Sequence, residues 1–255
     1  MNHLRPKFCF IFLKKLVYFL ILYCGISSCA IAQEYPHTSL WTRFQVTAPV
    51  SKQWQVVTAV HWRRQNNYLN NTVNFLEEPL LTGAHAQLVR RNKKQTVAFI
   101  PIQINYFLAN TLLGREEDFS VPQNREWRYS VGFELTQNNK SRWTFRERVL
   151  QEFRFFRSNQ DQPVGRVRTR FQINYKWKSF VSINGLTEVI LHTPPQINNL
   201  PAVRFHQFWL GSSLLWQLPP HLNLETGYTF IRTQRLNKTE ADNQNVTNLH
   251  LFVRL

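Results

Sequence analysis

The sequence predicts an all-β protein, an antiparallel transmembrane β-barrel of the outer-membrane type with about ten to twelve strands. Three observations carry this prediction: alternating apolar and polar segments recur along the chain, their connections alternate between short and long, and the N-terminus resembles an export signal. A strand points successive side chains to opposite faces, so each segment is apolar on one side and polar on the other. A half-buried strand of a soluble sandwich also alternates, but a sandwich gives no reason for loop lengths to alternate.

The segment 165–178 shows the pattern most clearly. Its odd positions from Val167 to Trp177 are mostly apolar, and its even positions from Arg166 to Lys178 are basic or amide residues. Most of the segments are about ten residues or longer, the length that a tilted strand needs to cross a bilayer. The same period predicts strands over residues 40–47, 54–63, 81–89, 96–109, 126–136, 142–155, 165–177, 180–191, 204–217, 222–232 and 245–255.

The connections predict which end of the barrel faces which compartment. Outer-membrane barrels have tight turns on the periplasmic side and longer loops outside. Short connections at 48–53, 90–95, 137–141, 178–179 and 218–221 alternate with longer ones at 64–80, 110–125, 156–164, 192–203 and 233–244.

The strand count raises a difficulty, because eleven segments are counted and bacterial single-chain barrels have an even number of strands. Either two strands are merged in one segment, or the segment 40–47 is not a full member of the wall, or a short strand lies within 64–80. We expect ten or twelve strands on this argument.

Residues 1–32 are predicted to be a cleaved signal peptide, with residues 33–255 forming one barrel domain in the outer membrane. The basic residues from Arg5 to Lys15 precede an apolar core over 16–26, which is too short for a membrane span of about 20 residues. Ala30-Ile31-Ala32 then gives a small-x-small cleavage site. In an alternative interpretation, residues 26–29 form a lipoprotein box in which Cys29 is lipidated.

Cysteine usage and charge exclude several classes of chemistry. Cys9, Cys24 and Cys29 all lie in the leader, so residues 33–255 have no thiol for disulfides or metal binding. Histidines are scattered, and no cofactor or metal is predicted. Residues 33–255 carry a net charge of +12, but the basic residues alternate along strands of an exported chain, which argues against nucleic acid.

Large aromatic residues fall near the predicted strand ends. They are expected to form girdles at the two membrane interfaces, with ordinary core packing as the alternative. The C-terminal run 249–255 alternates in the way that barrels inserted by the outer-membrane assembly machinery do, although it ends in Leu255 rather than an aromatic residue. The girdle candidates are Trp41, Trp54, Trp62, Tyr106, Trp127, Trp143, Trp177 and Trp216.

Several motifs occur in order along the chain: an Ala-Gln leader boundary, the Trp-led strand 40–44, the Ser-Lys-x-Trp turn 51–54, the Glu-Trp-Arg-Tyr run 126–129 and an Arg-rich central hairpin. This assembled pattern resembles a family of unknown function common in the outer membranes of Bacteroidota-type Gram-negative bacteria, domain of unknown function 2490. The resemblance covers essentially all of residues 33–255 and implies an outer-membrane barrel, but it transfers no activity and no functional residue.

The polar faces of the central strands hold the candidate ligand-binding residues. Charge on the lipid face costs about 2–4 kcal/mol per Arg near the midplane, so these side chains are expected to point into the lumen; Glu147 falls on the apolar row instead. One interpretation is an internal salt-bridge network with Glu134, Glu152, Glu188 and Glu225 as the acidic partners. The other is a basic lining that attracts anions or lipopolysaccharide phosphates. The candidates are Arg128, Glu134, Arg146, Arg148, Glu152, Arg154, Arg166, Arg168 and Arg170.

The predicted function is non-enzymatic: a narrow pore, or a structural or binding barrel, with an arginine-rich polar lumen that favours anionic or lipid-like ligands. Outer-membrane lipid, lipopolysaccharide, the assembly machinery during insertion and a small anionic solute are the expected partners. The alternatives are a lipid-modifying outer-membrane enzyme and a subunit of a larger envelope complex. His206 precedes Ser212 and Ser213 by too many residues to form a pair within one strand, although catalytic partners could meet across strands.

Overall fold

The computed structural model describes residues 33–67, 74–94, 96–138, 142–157, 164–193, 204–235 and 239–255. The predicted signal peptide, residues 1–32, lies outside the described residues. The described chain forms one closed barrel of eleven strands. The strands are β1 (Gln33–Pro49), β2 (Trp54–Gln65), β3 (Glu78–Arg91), β4 (Val97–Ala109), β5 (Asn124–Asn138), β6 (Trp143–Phe156), β7 (Val164–Lys178), β8 (Val181–Thr193), β9 (Arg204–Leu218), β10 (Leu222–Gln234) and β11 (Glu240–Arg254).

The barrel closes through a parallel pair of strands. Each strand pairs antiparallel with its neighbours in sequence, while β1 runs parallel to β11 from Gln33↔Glu240 to Thr47↔Arg254. An odd number of up-and-down strands leaves the first and last strands pointing the same way, so they can only close the barrel in parallel. The predicted range of ten to twelve strands is confirmed, and the expectation of an even count is wrong. β1 is a full member of the wall and begins at Gln33 rather than at residue 40.

Four of the five connections predicted to be long are longer than every connection predicted to be short. The fifth prediction, a long loop over 233–244, is wrong, because β11 begins at Glu240 and leaves only residues 235–239 between the strands, no longer than 92–96. The connections 50–53, 92–96, 139–142, 179–180 and 219–221 join strands at one end, and 66–77, 110–123, 157–163, 194–203 and 235–239 join them at the other. We call these the turn end and the loop end. The only helix of the described residues is a 3-10 turn, Glu116–Ser120, in a loop-end connection, and no described helix is long and apolar enough to cross a membrane.

A bulge in β4 changes which of its side chains face the interior. Ala98 and Ile100 are buried on even positions, whereas Asn105 and Phe107 are buried on odd ones. The register with β5 shifts between Ile100 and Gln103, and Pro101, which has no N–H for a ladder, lies inside that shift. A strict two-residue alternation along β4 would therefore assign about half of its side chains to the wrong face of the barrel.

The outer surface of the wall is apolar, and aromatic side chains lie near both of its ends. Trp62 and Trp127 are exposed near the loop end, and Trp143 and Trp177 are exposed near the turn end. Trp41 contradicts the girdle prediction, because it is 7% exposed and packs inside the barrel against Ile231 and Val246. It lies on the inward row of β1, which strand-end position alone does not reveal.

Candidate functional site

The interior wall formed by β5–β8 carries paired arginines and glutamates, which we call the arginine–glutamate ladder. The register sets Glu134 opposite Arg148, Glu152 opposite Arg166, and Arg170 opposite Glu188. Residues directly opposite on adjacent strands lie about 5 Å apart at their Cβ atoms. The ladder therefore follows from strand register, without any help from loops.

Glu134 forms the end of the ladder nearest the turns. Its Oε2 accepts hydrogen bonds from Nε and Nη2 of Arg148 at 2.9 and 2.6 Å. Its Oε1 lies 3.4 Å from Arg146 and 3.5 Å from Arg91. A carboxylate that is 1% exposed thus has three arginines around it.

Two further glutamates continue the ladder through β6, β7 and β8. Glu152 binds Arg166 in a close ion pair and lies 3.4 Å from Arg168. Arg168 also reaches Glu188 at 2.7 Å, and Arg170 donates to the other oxygen of Glu188 at 2.7 Å. Arg168 bridges two carboxylates, so the pairs form one network instead of isolated bridges.

Glu126 completes the ladder at the loop end and was not among the predicted partners. Its two oxygens accept from Nε and Nη2 of Arg128 at 2.8 Å each, and Arg154 pairs with it from the next strand. Glu126 has the parity of Arg128 on the same strand, so the alternation already marked it as inward-facing. Arg128 and the other eight predicted ligand-binding candidates lie in the same ladder: Glu134, Arg146, Arg148, Glu152, Arg154, Arg166, Arg168 and Arg170.

Glu225 does not join the ladder as predicted. It lies on β10, across the barrel, where Ser213 donates to its Oε1 at 2.5 Å and His250 lies 3.4 Å from its Oε2. The sequence correctly predicted that Glu225 faces inward. However, β10 lies on a different part of the barrel wall from β5–β8, so Glu225 does not contact the ladder arginines. Glu147 is exposed on the outer face, as its parity predicted.

The wall opposite the ladder carries two further arginines. Arg63 on β2 stacks over the ring of Trp41 at 3.6 Å, and Arg43 on β1 lies 4.9 Å from the centroid of Phe252. Among the described residues, neither arginine has a carboxylate within ion-pair distance. The charges acting on Arg63 include Arg128 and Arg168 of the ladder, so the two walls present positive charge to one another.

Histidines lie on the same side of the interior as Arg43 and Arg63. His61 and His85, on adjacent strands, share a ring-nitrogen hydrogen bond of 2.8 Å. No group of three or more His, Cys, Asp or Glu residues that could hold a metal ion is found in the described part of the chain.

Solvent reaches the ladder from the turn end. The Arg146 side chain is 44% exposed and that of Arg148 is 26% exposed. Towards the loop end the exposure falls to 15% at Arg154 and 4% at Arg166. The exposure of the ladder arginines therefore decreases from the turn end towards the loop end.

The connection between β4 and β5, residues 110–123, narrows the loop end, and we call it the mouth segment. Asn110 binds the Leu80 carbonyl on β3, and Gln65 on β2 donates to the Thr111 carbonyl at 2.9 Å. Farther along, Asp118 pairs with Arg235, which follows β10, at 3.1 Å. The segment thus passes from β4 across the ends of several strands to the opposite part of the rim.

Electrostatics hold the mouth segment in place. Burial by itself would raise the pKa of Asp118, but the hydrogen bond from Arg235 and the backbone N–H groups of Gly114 and Arg115 outweigh burial and hold that pKa below its ordinary value. The Asp118 and Asp242 carboxylates in turn raise the pKa of Arg235. Asp242 also bonds to His37 at 3.0 Å, and Arg115 pairs with Glu240 at 3.2 Å.

The fold and the interior define a class of protein: a closed, eleven-stranded β-barrel with a buried arginine–glutamate network. Residues 38–244 match the family described as "Protein of unknown function (DUF2490)", and the chain belongs to that family. This confirms the family resemblance predicted from the sequence. No curated protein and no solved structure matches the chain.

Proposed function

We propose that this protein is a non-enzymatic barrel of the outer membrane whose lumen takes up small anionic solutes. The outer face supports the membrane placement, since it carries exposed Phe99, Phe133, Phe153 and Leu210 along its middle. Each strand has at least 12 residues, and a tilted strand crosses a bilayer with about 9–11. In an outer membrane the loop end faces outside and the turn end faces the periplasm.

The balance of charge in the lumen carries the proposal for anions. Six carboxylates face the lumen of the described barrel: those of Glu126, Glu134, Glu152, Glu188, Glu225 and Asp242. Ten arginines face it: Arg43, Arg63, Arg91, Arg128, Arg146, Arg148, Arg154, Arg166, Arg168 and Arg170. The lumen therefore has excess positive charge, and a ring of arginines in a pore favours anionic solutes.

Arg43 and Arg63 are the residues best suited to meet such a solute. Most of the ladder arginines already donate to carboxylates, so their guanidinium groups are largely committed. Arg43 and Arg63 are held by aromatic rings, which leave N–H donors free for a ligand. An anion between the two walls would reduce the repulsion between these arginines and the ladder.

The order of groups around Glu225 supports a non-enzymatic role. A hydrolase of the Ser–His–acid type needs the imidazole between the hydroxyl and the carboxylate, so that it can take the hydroxyl proton. Here Glu225 lies between Ser213 and His250. The Ser213 proton is already directed at a carboxylate oxygen, and His250 does not contact the hydroxyl.

Conductance of the purified protein in planar bilayers tests this proposal. We expect small, anion-selective openings in a KCl gradient, because the mouth segment narrows the loop end. The double variant Arg43→Gln/Arg63→Gln should move the reversal potential towards zero. Equal permeability to K⁺ and Cl⁻ in the wild-type protein would overturn the anion preference. Silence of both the wild-type protein and Arg235→Gln, which removes the ion pair between Arg235 and the mouth segment, would overturn uptake through the lumen.

A further inference from the structure

The outer face of β3 forms a furrow in an otherwise bulky wall. Its outward residues near the loop end are small, namely Thr82, Ala84 and Ala86, and Thr82 and Ala84 are exposed. At about 3.4 Å per residue these positions extend over about 14 Å along the strand. The outward residues of the flanking strands are larger, so the furrow has walls.

Strand register shows what those walls are. One row across the outer face runs from Trp62 on β2 through Thr82 to Leu108 on β4. The next row runs from Val60 through Ala84 to Tyr106. Together they line a cavity of about 460 Å³. This groove is outside the barrel and is separate from the ladder and from Arg63.

Positive charge lies above the groove at the loop end. Arg125 on β5 is exposed and lies opposite Leu108 in the register. Arg64 follows Trp62 by one outward position, and its guanidinium donates to the carbonyls of Leu76 and Glu77 at 2.7 and 2.8 Å. Among the described residues, neither Arg125 nor Arg64 has a carboxylate within ion-pair distance.

Aromatic rings mark the boundary between the apolar groove and these charges. The rings of Tyr106 and Trp127 lie 4.8 Å apart on the outer face, and Arg64 lies 5.9 Å from the centroid of Trp62. Such rings concentrate at the depth of lipid headgroups. The groove thus begins at the level of these rings and continues along β3 towards Ala86 at acyl-chain depth, with the arginines on its loop-end side at headgroup depth.

We propose that this groove binds one phosphorylated lipid of the outer leaflet, with an acyl chain in the furrow along β3 and a phosphate against Arg125 and Arg64. A lipid of this kind matches the site because it joins an apolar chain to an anionic head. Arg125 can bind phosphate through two parallel hydrogen bonds, while Arg64, whose Nε and Nη2 already donate to the Leu76 and Glu77 carbonyls, adds positive charge. The inference rests on the membrane placement proposed above, but it does not depend on anion uptake by the lumen.

Native mass spectrometry of the protein in detergent, with diphosphoryl lipid A added, tests the site. We expect the wild-type protein to retain one lipid A molecule and to retain phosphatidylcholine much less. Arg125→Gln should lower the retained fraction about fivefold, the effect of one basic residue near an anionic lipid surface. Ala84→Phe, which fills the furrow, should lower it by at least as much.

Matched variants separate this site from general lipid contact. Thr187→Phe adds the same ring to β8 on another part of the outer wall, and Arg254→Gln removes an exposed arginine at the turn end; both should retain lipid A as the wild-type protein does. Arg63→Gln should also leave retention unchanged, because Arg63 faces the lumen.

Equal retention of lipid A by Arg125→Gln and the wild-type protein would overturn the proposal. A loss of retention in Thr187→Phe as large as that in Ala84→Phe would overturn it as well. Heat-modifiable gel mobility shows whether each variant folds. If Ala84→Phe does not fold, the result for Arg125→Gln alone tests the proposed lipid site. A protein absent from the membrane fraction would instead contradict the proposed function.

Discussion

The guanidinium of Arg63 lies 3.6 Å from the centroid of the Trp41 ring, inside the barrel. The register places Trp41 directly opposite Arg63 on the neighbouring strand, so the contact is a cross-strand pair. Trp41 packs in turn against Ile231 and Val246 and forms an edge contact of 5.3 Å with Trp209. A rigid aromatic cluster thereby fixes the position of a charge that has no acidic partner among the described residues.

Arg63→Lys tests whether this stacking contributes beyond the charge. The ammonium keeps the positive charge but loses the planar group that stacks on Trp41, so we expect the anion preference to remain while the free energy of unfolding falls by about 1 kcal/mol. Reversal potentials and urea unfolding in detergent measure the two effects. Arg254→Lys, at an arginine that is exposed at the turn end, is the control and should change neither quantity. If Arg63→Lys loses the anion preference, then positive charge at position 63 is not sufficient for that preference.

Glu152→Gln should destabilise the barrel strongly. The variant keeps the shape of the side chain but leaves the buried Arg166 without a counter-charge and Arg168 with Glu188 as its one remaining carboxylate partner among the described residues. Breaking a buried ion pair by neutralising one partner costs about 3–5 kcal/mol. Urea unfolding followed by tryptophan fluorescence measures the loss. Glu147→Gln lies on the outer face of the same strand and should cost nothing; similar losses in both variants would mean that the ladder contributes no specific stability.

Engineered cysteines test the parallel closure. Leu40 lies opposite Thr247 in the register of β1 and β11, so Leu40→Cys/Thr247→Cys should form a disulfide on mild oxidation when Cys9, Cys24 and Cys29 are replaced by serine. The pair Leu40→Cys/Ile104→Cys joins strands that are not neighbours and should remain reduced. Gel mobility after oxidation distinguishes the two. Failure of the first pair with intact folding would contradict the eleven-stranded closure.

Acidification should release the mouth segment. The pKa of Asp118 is lowered in the folded protein, so its ion pair stabilises the docked segment above the ordinary aspartate pKa of about 4, and this contribution is lost as the pH falls through the lower folded value. The amides of Gly114 and Arg115 both donate to Asp118 at 2.9 Å. Their hydrogen-exchange protection, corrected for intrinsic rates, should fall below about pH 4.

Two substitutions check the origin of that pH dependence. Asp118→Asn should lower the protection of Gly114 and Arg115 already at neutral pH and abolish its change on acidification. Glu117→Gln removes a carboxylate that is 78% exposed and should behave as the wild-type protein does. Unchanged protection in Asp118→Asn would show that the segment is held by its apolar contacts and by Arg115–Glu240.

The ladder shows how far the alternation of a sequence predicts a site. Arg146, Glu152 and Arg166 could be assigned to one interior because strand parity fixes the face of each side chain, and the predicted lipid-facing surface disfavours charge on the other face. Pairing partners were less certain, because register decides which residues stand opposite one another. Glu225 was misassigned for this reason, and Glu126 was passed over although its parity matched that of Arg128.

The outer groove and the mouth segment could not be predicted from the sequence. The groove requires Thr82, Trp62 and Leu108 to lie side by side, and they are distant in the chain. The mouth segment depends on the contact of Asp118 with Arg235, two residues from separate loops. Nothing in the local sequence around either residue indicates the other.

By itself the sequence determined the barrel, the orientation of each strand's two faces and the placement of the arginines inside, because a period of two residues and the cost of burying charge in lipid are local properties. The tertiary structure alone decided the count of eleven strands, the parallel contact of β1 with β11, the position of Trp41 under Arg63 and the partner of each glutamate. Those features depend on how the first strand meets the last and on the register between strands, which become fixed only when the whole wall closes.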